Sequence, residues 1–342
     1  MQSSRRLVIT AGLASLVLLV AAACAGGDDA EGSSAGGKPT IKMTFSGTTQ
    51  LDDVVGYHVM ELMRQKGYNV NEQRLESNVA RPAFLANQVD FVEQSAKIAI
   101  GYVSAGEKIT CFAGHDAKNV YIPVVKGITS ADQIPADPRV GVSQDNGIDS
   151  ISWDVQRKGL GKPSGTQRVV VGGQSARSAA LLSGQIDVAP LGIGTALQTE
   201  AKDPQVHILR EYVKYAPAAT NDMFCVHKDW VNGPEREQAL QDFAESAIEA
   251  ARWFRQKPEE WKALIKKELP ETDDSILDPY HELLVEVGQY PPNGTAVNTA
   301  GVQDAVQLAL DAGDIKQPVD VASFVDTKYE QAALKKLGQF TE

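Results

Sequence analysis

Four short stretches combine hydrogen-bonding side chains with small residues that leave backbone groups accessible. They are "SGTTQ" (residues 46–50), "EQS" (93–95), "SQDNGIDS" (143–150) and "PLGIG" (190–194). Three of them run into an apolar helical pattern, so the unpaired N–H groups of a first helical turn would face whatever lies in front. Thr48, Thr49, Gln50, Gln94, Ser95 and Asn146 add directional donors and acceptors, and Gly192 leaves room for a close backbone approach. The same residue types cap helices and build turns. What separates a binding loop from a cap is its position at the end of a strand.

The same loops carry Asp52, Asp53, Glu93, Asp145 and Asp149, and no Lys or Arg. A pocket for a simple oxyanion commonly supplies a guanidinium. The charge pattern therefore points to an organic ligand that is neutral, zwitterionic or amine-bearing. Catalytic signatures are missing: there is no HExxH, no GxSxG and no Walker A. "VGGQSA" lacks the Lys, and "GIGTAL" lacks the third Gly of a dinucleotide fingerprint. Neither a CxxC nor a Cys/His spacing suggests a metal, and no cofactor is implied. His58 falls on an apolar helix stripe and reads as a core histidine, while His115 follows "CFAG" in a loop.

The elements that would position these stretches follow from periodicity. A buried strand, "TIKMTFSG", precedes a helix with Leu51, Val54, Val55, Val59, Leu62 and Met63 on one stripe, closed by Gly67. A strand over 68–75, a helix through Phe84 and the strand "VDFVE" complete a β-α-β-α-β unit. Its helical crossovers demand parallel strands. The pattern restarts at "RVGVSQ" and ends in "IDVAPL". One phrase recurs at the same place in both units: "ARPAFLANQVDF" (80–91) and "ARSAALLSGQIDV" (176–188) align with one gap, matching Gln88 with Gln185 and Asp90 with Asp187. Those residues read as turn chemistry at the entry to the third strand. From "MFCVHKDW" onward the chain is helical, with expected helices over 234–257, 259–268, 275–287 and 297–312. Trp253, Phe254 and Trp261 sit at helical spacing as packing residues.

The first 23 residues combine Arg5 and Arg6 with an apolar run over 7–20 and small residues before Cys24, the pattern of a secretory leader. "VAAAC" resembles the lipobox of bacterial lipoproteins, which implies a lipid on Cys24 and an extracytoplasmic location at the cell membrane. Residues 24–37, rich in Gly, Ser and Asp, read as a flexible tether. The chain carries 33 Lys+Arg against 44 Asp+Glu, a net charge of −11. This acidity argues against nucleic acid and against charge-driven binding to anionic lipid.

Several phrases in order resemble the NMT1/THI5-like and sulfonate/nitrate/taurine group of substrate-binding proteins of ABC transporters, which have a type II periplasmic-binding-protein fold. They are "LANQVDFVEQSAKIAIGYVSAGEKI", "VVKGITSADQIPADPRVGV", "LLSGQIDVAP" and "FCVHKDWV". The resemblance covers roughly residues 38–338. It implies an α/β fold of two lobes, the first from 38–128 plus 223–342 and the second from 129–222. Two crossovers near 125–128 and 218–224 would form the hinge. In such folds the strand "MFCV" lies antiparallel beside "KITC", which brings Cys225 near Cys111 and makes a disulfide the alternative to two packed thiols. Ligands of open α/β sheets sit beyond the carboxyl ends of the strands. That places Thr48, Thr49, Gln50, Glu93, Gln94, Ser95, Asp145, Asn146, Asp149 and Gly192 at the expected site. The implied function is a monomeric, lipid-anchored, non-enzymatic receptor that closes over a small molecule and presents it to the ABC permease. A sensor for a signalling partner and a THI5-like enzyme are the alternatives.

Overall fold

Alternation of apolar residues starts the first sheet, and helical spacing then covers it. The computed structural model describes residues 37–46, 51–75, 77–118, 120–145, 147–162, 165–215, 222–294, 297–311 and 313–341. In β1 (Ile41–Ser46), Ile41, Met43 and Phe45 are buried on one face. The helix α1 (Val54–Gln65) buries Val55, Val59 and Met63, one stripe at the 3.6-residue period. The elements β2 (Val70–Leu75), α2 (Ser77–Leu85), β3 (Phe91–Ser95), α3 (Ala96–Ser104) and β4 (Ile109–Gly114) follow. β1 pairs in parallel with both β2 and β3, as the helical crossovers require.

A second sheet is assembled from β5 (Tyr121–Lys126), β6 (Arg139–Val142), α4 (Ile148–Gly159), β7 (Gln167–Val170), α5 (Gln174–Leu182), β8 (Val188–Gly192), α6 (Ile193–Glu200) and β9 (Val206–Ile208). The chain then returns through β10 (Asp222–His227) to the first sheet. The strand orders are β2-β1-β3-β10-β4 and β7-β6-β8-β5-β9, so both lobes follow one plan. In each, the first strand to arrive from the other lobe inserts antiparallel beside the third parallel strand. Thus β10 lies against β3, and β5 against β8.

This pairing moves the first crossover earlier than the sequence suggested. Because β5 hydrogen-bonds with β8 and β9, residues 121–126 belong to the second sheet. The chain therefore leaves the first lobe over 115–120, not near 125–128. The second expected crossover begins outside the described residues and ends inside β10. The strands also run further than expected: Glu93, Gln94 and Ser95 are the last residues of β3, and Gly192 ends β8, so no loop separates either strand from its helix.

The repeated phrase does the same work twice. Asn87 and Gly184 take left-handed conformations, φ 56° and 75°, that close the preceding helices. The N–H of Gln88 donates to the Ala83 carbonyl and that of Gln185 to the Ala180 carbonyl, each at 2.9 Å. The Asp90 carboxylate accepts from the Lys42 N–H, and the Asp187 carboxylate from the Arg139 N–H, each at 2.8 Å. Each aspartate thereby fixes the entry of its third strand against the first.

The helical tail packs on the first sheet. In α7 (Pro234–Gln256), the Phe243 ring meets Phe91, Phe112 and Phe224 at centroid distances of 5.4, 5.3 and 4.8 Å. Emptying such a site costs about 3–5 kcal/mol. The helices α8 (Pro258–Glu268), α9 (Leu277–Val287), α10 (Thr299–Asp311) and α11 (Lys328–Leu337) complete the chain. His58 is half-buried and stacks on Trp253 at 3.9 Å, while Phe254 and Trp261 are buried packing residues. Cys111 in β4 and Cys225 in β10 face each other across the antiparallel pair and are joined by a disulfide. No described helix is long and apolar enough to cross a membrane.

Candidate functional site

Four strand ends meet at one cleft. Ser95 ends β3 and stands opposite Asp222, which opens β10; Gly192 ends β8 and stands opposite Tyr121, which opens β5. An antiparallel strand begins where its parallel neighbours finish, so the inserted strand of each lobe adds its first residue to the carboxyl-end rim. All four residues line a cavity of about 570 Å³. Leu51 and Asp52 before α1, Lys118 and Val120 in the crossover, the segment 192–195 at the start of α6 and Gln198 further along it also line it. The helical tail contributes Tyr280 and Leu284 of α9 together with Thr272 and Gln289. The volume suits a small organic molecule.

Charge is distributed unequally over the walls. The first lobe presents Asp52 and Asp222 at the surface of the cleft, with Glu93 and Asp116 buried behind them. The Asp116 carboxylate accepts from the Asp222 N–H at 2.9 Å and from Gln289 Nε2 at 2.7 Å. Glu93 Oε1 lies 3.3 Å from His115 Nδ1 and hydrogen-bonds the Asp222 side chain. Burial pushes the Asp222 carboxyl well above the usual carboxylate range, and the neighbouring Glu93 raises it further. Asp116 moves the same way, from burial first and Asp222 second. Lys118 is the one basic residue among those lining the cleft, and its Nζ donates to the Val287 carbonyl at 2.8 Å.

The second lobe offers uncharged groups: Tyr121, Gln174, Gly192, Thr195 and Gln198. Its buried guanidinium, Arg177, is held by Asp149 at 3.3 Å and by the carbonyls of Pro190 and Gly172. Gly194 marks a close approach of the walls, since a Cβ there would lie 3.2 Å from the Leu51 side chain and 3.8 Å from Tyr280.

No sequence family and no curated protein matches the chain. Solved structures do. A sulfonate-binding protein of an ABC transporter from Methylobacillus flagellatus superposes with a TM-score of 0.67 at 15% identity, covering 88% of this chain and 95% of that one. The zinc-bound ligand-binding component of an ABC-type import system from Staphylococcus aureus gives 0.66 at 12% identity, covering 86% and 99%. The alkanesulfonate-binding protein of Xanthomonas axonopodis pv. citri, bound to MOPS, gives 0.58 at 11%, covering 85% and 99%. The chain has the two-lobed fold of the periplasmic binding proteins.

Within this binding-protein fold the expected residues divide into several groups. Ser95 and Gly192 line the cleft, although the Gly192 N–H is already taken by Gln174 Oε1 at 2.7 Å. Glu93 is buried one layer behind, bonded to His115 and Asp222. Strand alternation turns Gln94 to the opposite face of β3, where it is buried. Asp145 is exposed and is not among the lining residues. Asp149 is buried and engaged by the Ser143 N–H and Oγ, each at 2.6 Å, and by Arg177, so it orders the second lobe from within. Thr48, Thr49, Gln50 and Asn146, like Cys24, lie outside the described residues.

Residues that the sequence reading passed over are Asp222, Asp116, Tyr121, Tyr280 and Gln289. The first three had a signal. Tyr121 and Asp222 open the inserted strands β5 and β10, and Asp116 lies two residues past the end of β4, so the strand pairing brings all three to the rim. Tyr280 and Gln289 had none, because tertiary packing alone carries the helical tail over the cleft.

Proposed function

We propose that the chain is a lipid-anchored, extracytoplasmic solute-binding protein that captures a small organic molecule between its lobes and delivers it to an ABC import permease. The observation that carries this reading is the convergence of four strand ends from two like sheets on one cleft. Hinge closure about those crossovers buries the ligand, and binding selects the closed state. The leader and Cys24 support attachment at the outer face of the membrane. The structural likeness to transport binding proteins supports the import role.

Two measurements test the proposal. In cells, the full chain fractionates with membranes and Cys24→Ser releases it. In solution, the chain from residue 25 onward gains thermal stability with one class of small molecule, because a ligand bound only by the folded state raises the midpoint. The same ligand reduces the radius of gyration in small-angle scattering. A protein that neither binds nor compacts with any solute of a broad panel is not such a receptor.

A further inference from the structure

The acids of the cleft are accompanied by a second, independent feature. Gln289 is only 5% exposed and lines the cavity. Its Nε2 donates to Asp116 Oδ2 at 2.7 Å. Its Oε1, buried, has no hydrogen-bond partner among the described residues. A buried acceptor left unmade is costly, and this one belongs to a residue of the cleft wall. A ligand N–H donor satisfies it once the side chain turns towards the cavity, because the atom is closed to solvent in this arrangement.

Electrostatics on the same wall select the sign of that ligand. Asp52 and Asp222 line the cavity, with Glu93 and Asp116 behind, while Lys118 is turned to the Val287 carbonyl and Arg177 to Asp149. Carboxylates packed this closely in a water-poor site favour an incoming positive charge. Tyr280 also lines the cavity on this side, and aromatic faces attract cations. The cation is organic rather than metallic, because nowhere among the described residues do three His, Cys, Asp or Glu groups converge as metal ligands, and the cavity of about 570 Å³ is far larger than an ion.

Resting on the solute-binding reading, we propose that the cleft takes a small organic cation bearing N–H donors, a primary ammonium or guanidinium. Its charged end faces Asp222, Asp52 and Gln289 Oε1, and its uncharged remainder faces the second lobe. The lobes thus differ in role: the first recognises charge, and the second encloses the rest of the molecule.

The test is calorimetry and thermal shift on the chain from residue 25, with putrescine, agmatine, choline, taurine and methanesulfonate as probes. Putrescine or agmatine is expected to bind at least tenfold more tightly than choline, which has no N–H on its cationic nitrogen. The two sulfonates are expected to give no shift. Asp222→Asn should weaken the amine at least tenfold while keeping a cooperative unfolding transition. Lys118→Gln, which removes a like charge, should tighten it several-fold, and this arm stands if Asp222→Asn does not fold. Tighter binding of a sulfonate, or of choline, overturns the cation assignment and leaves the solute-binding reading intact. If every probe and a wider neutral panel fail to bind, both readings fall.

Discussion

Asp187 holds Arg139 twice, accepting from its backbone N–H at 2.8 Å and meeting its guanidinium at 2.6 Å, whereas the matching Asp90 in the other lobe holds the Lys42 N–H. The Arg139 guanidinium keeps the Asp187 carboxyl below the usual aspartate range. A depressed folded value means that this stability is present above the unfolded value and is lost as pH falls through the folded one. Asp187→Asn is therefore expected to cost about 1 kcal/mol at pH 7, a modest figure because both side chains are partly exposed. In urea titrations the difference from the parent should shrink towards pH 3. An equal cost at both pH values would show that geometry, not charge, fixes this turn.

The Cys111–Cys225 disulfide closes a loop of 114 residues. Loop-closure entropy alone assigns such a link roughly 4–5 kcal/mol, and native disulfides commonly give 2–5. Replacing both cysteines by alanine, or adding a reductant, should lower the denaturation midpoint without changing ligand affinity, since both residues lie in the core of the first lobe away from the cleft. Mass spectrometry of exported protein with thiol alkylation measures the oxidised fraction directly.

Gly194 reports on closure. A Cβ there reaches ordinary contact with Tyr280 and presses on the flexible end of Leu51, so alanine is expected to be tolerated. Gly194→Leu should hold the walls apart. The variant is expected to unfold like the parent, to lose ligand affinity by tenfold or more, and to show no ligand-dependent decrease in radius of gyration. Retained compaction would place the closing contact elsewhere.

Glu330, on α11, is buried and accepts from the Gly114 N–H at 2.9 Å. Burial lifts its carboxyl to about 8, against the lowering effect of the Gly114 and Val297 amides. Between the ordinary glutamate value and about 8, the folded chain keeps a proton that the unfolded chain releases, so stability falls as pH rises across that window. Glu330→Gln should flatten this dependence and raise the midpoint at pH 8 relative to the parent. Parallel curves for the two proteins from pH 5 to 8 would exclude Glu330 as the titrating group.

Local pattern made the parallel units and the repeated turns legible, because helical and strand periods are written in neighbouring residues. The stripe of Val55, Val59 and Met63 is one example, and the paired Asp90 and Asp187 are another. The position of β5 was not legible. "YIPVVK" reads as a strand in either lobe, and only its long-range hydrogen bonds to β8 and β9 assign it. The site was readable to the same degree. Ser95 and Gly192 follow from the rule that ligands sit at the ends of parallel strands. Asp222 and Tyr121 open strands, and an opening residue reaches the rim only if its strand runs backwards. Asp149 had the right type and place, yet Arg177, seven residues of sequence beyond the end of β7, draws it inward. Charge pairing of that kind is decided by folding, not by spacing.

The covalent bond between β4 and β10 has a further consequence. Both passages of the chain between the lobes spring from these two strands, so every residue of the second lobe lies inside the closed loop. A protease could cut that lobe once and yet release nothing, since both fragments would remain fastened at the stem. On a non-reducing gel the nicked molecule keeps its full mass, and it separates into two pieces only after reduction.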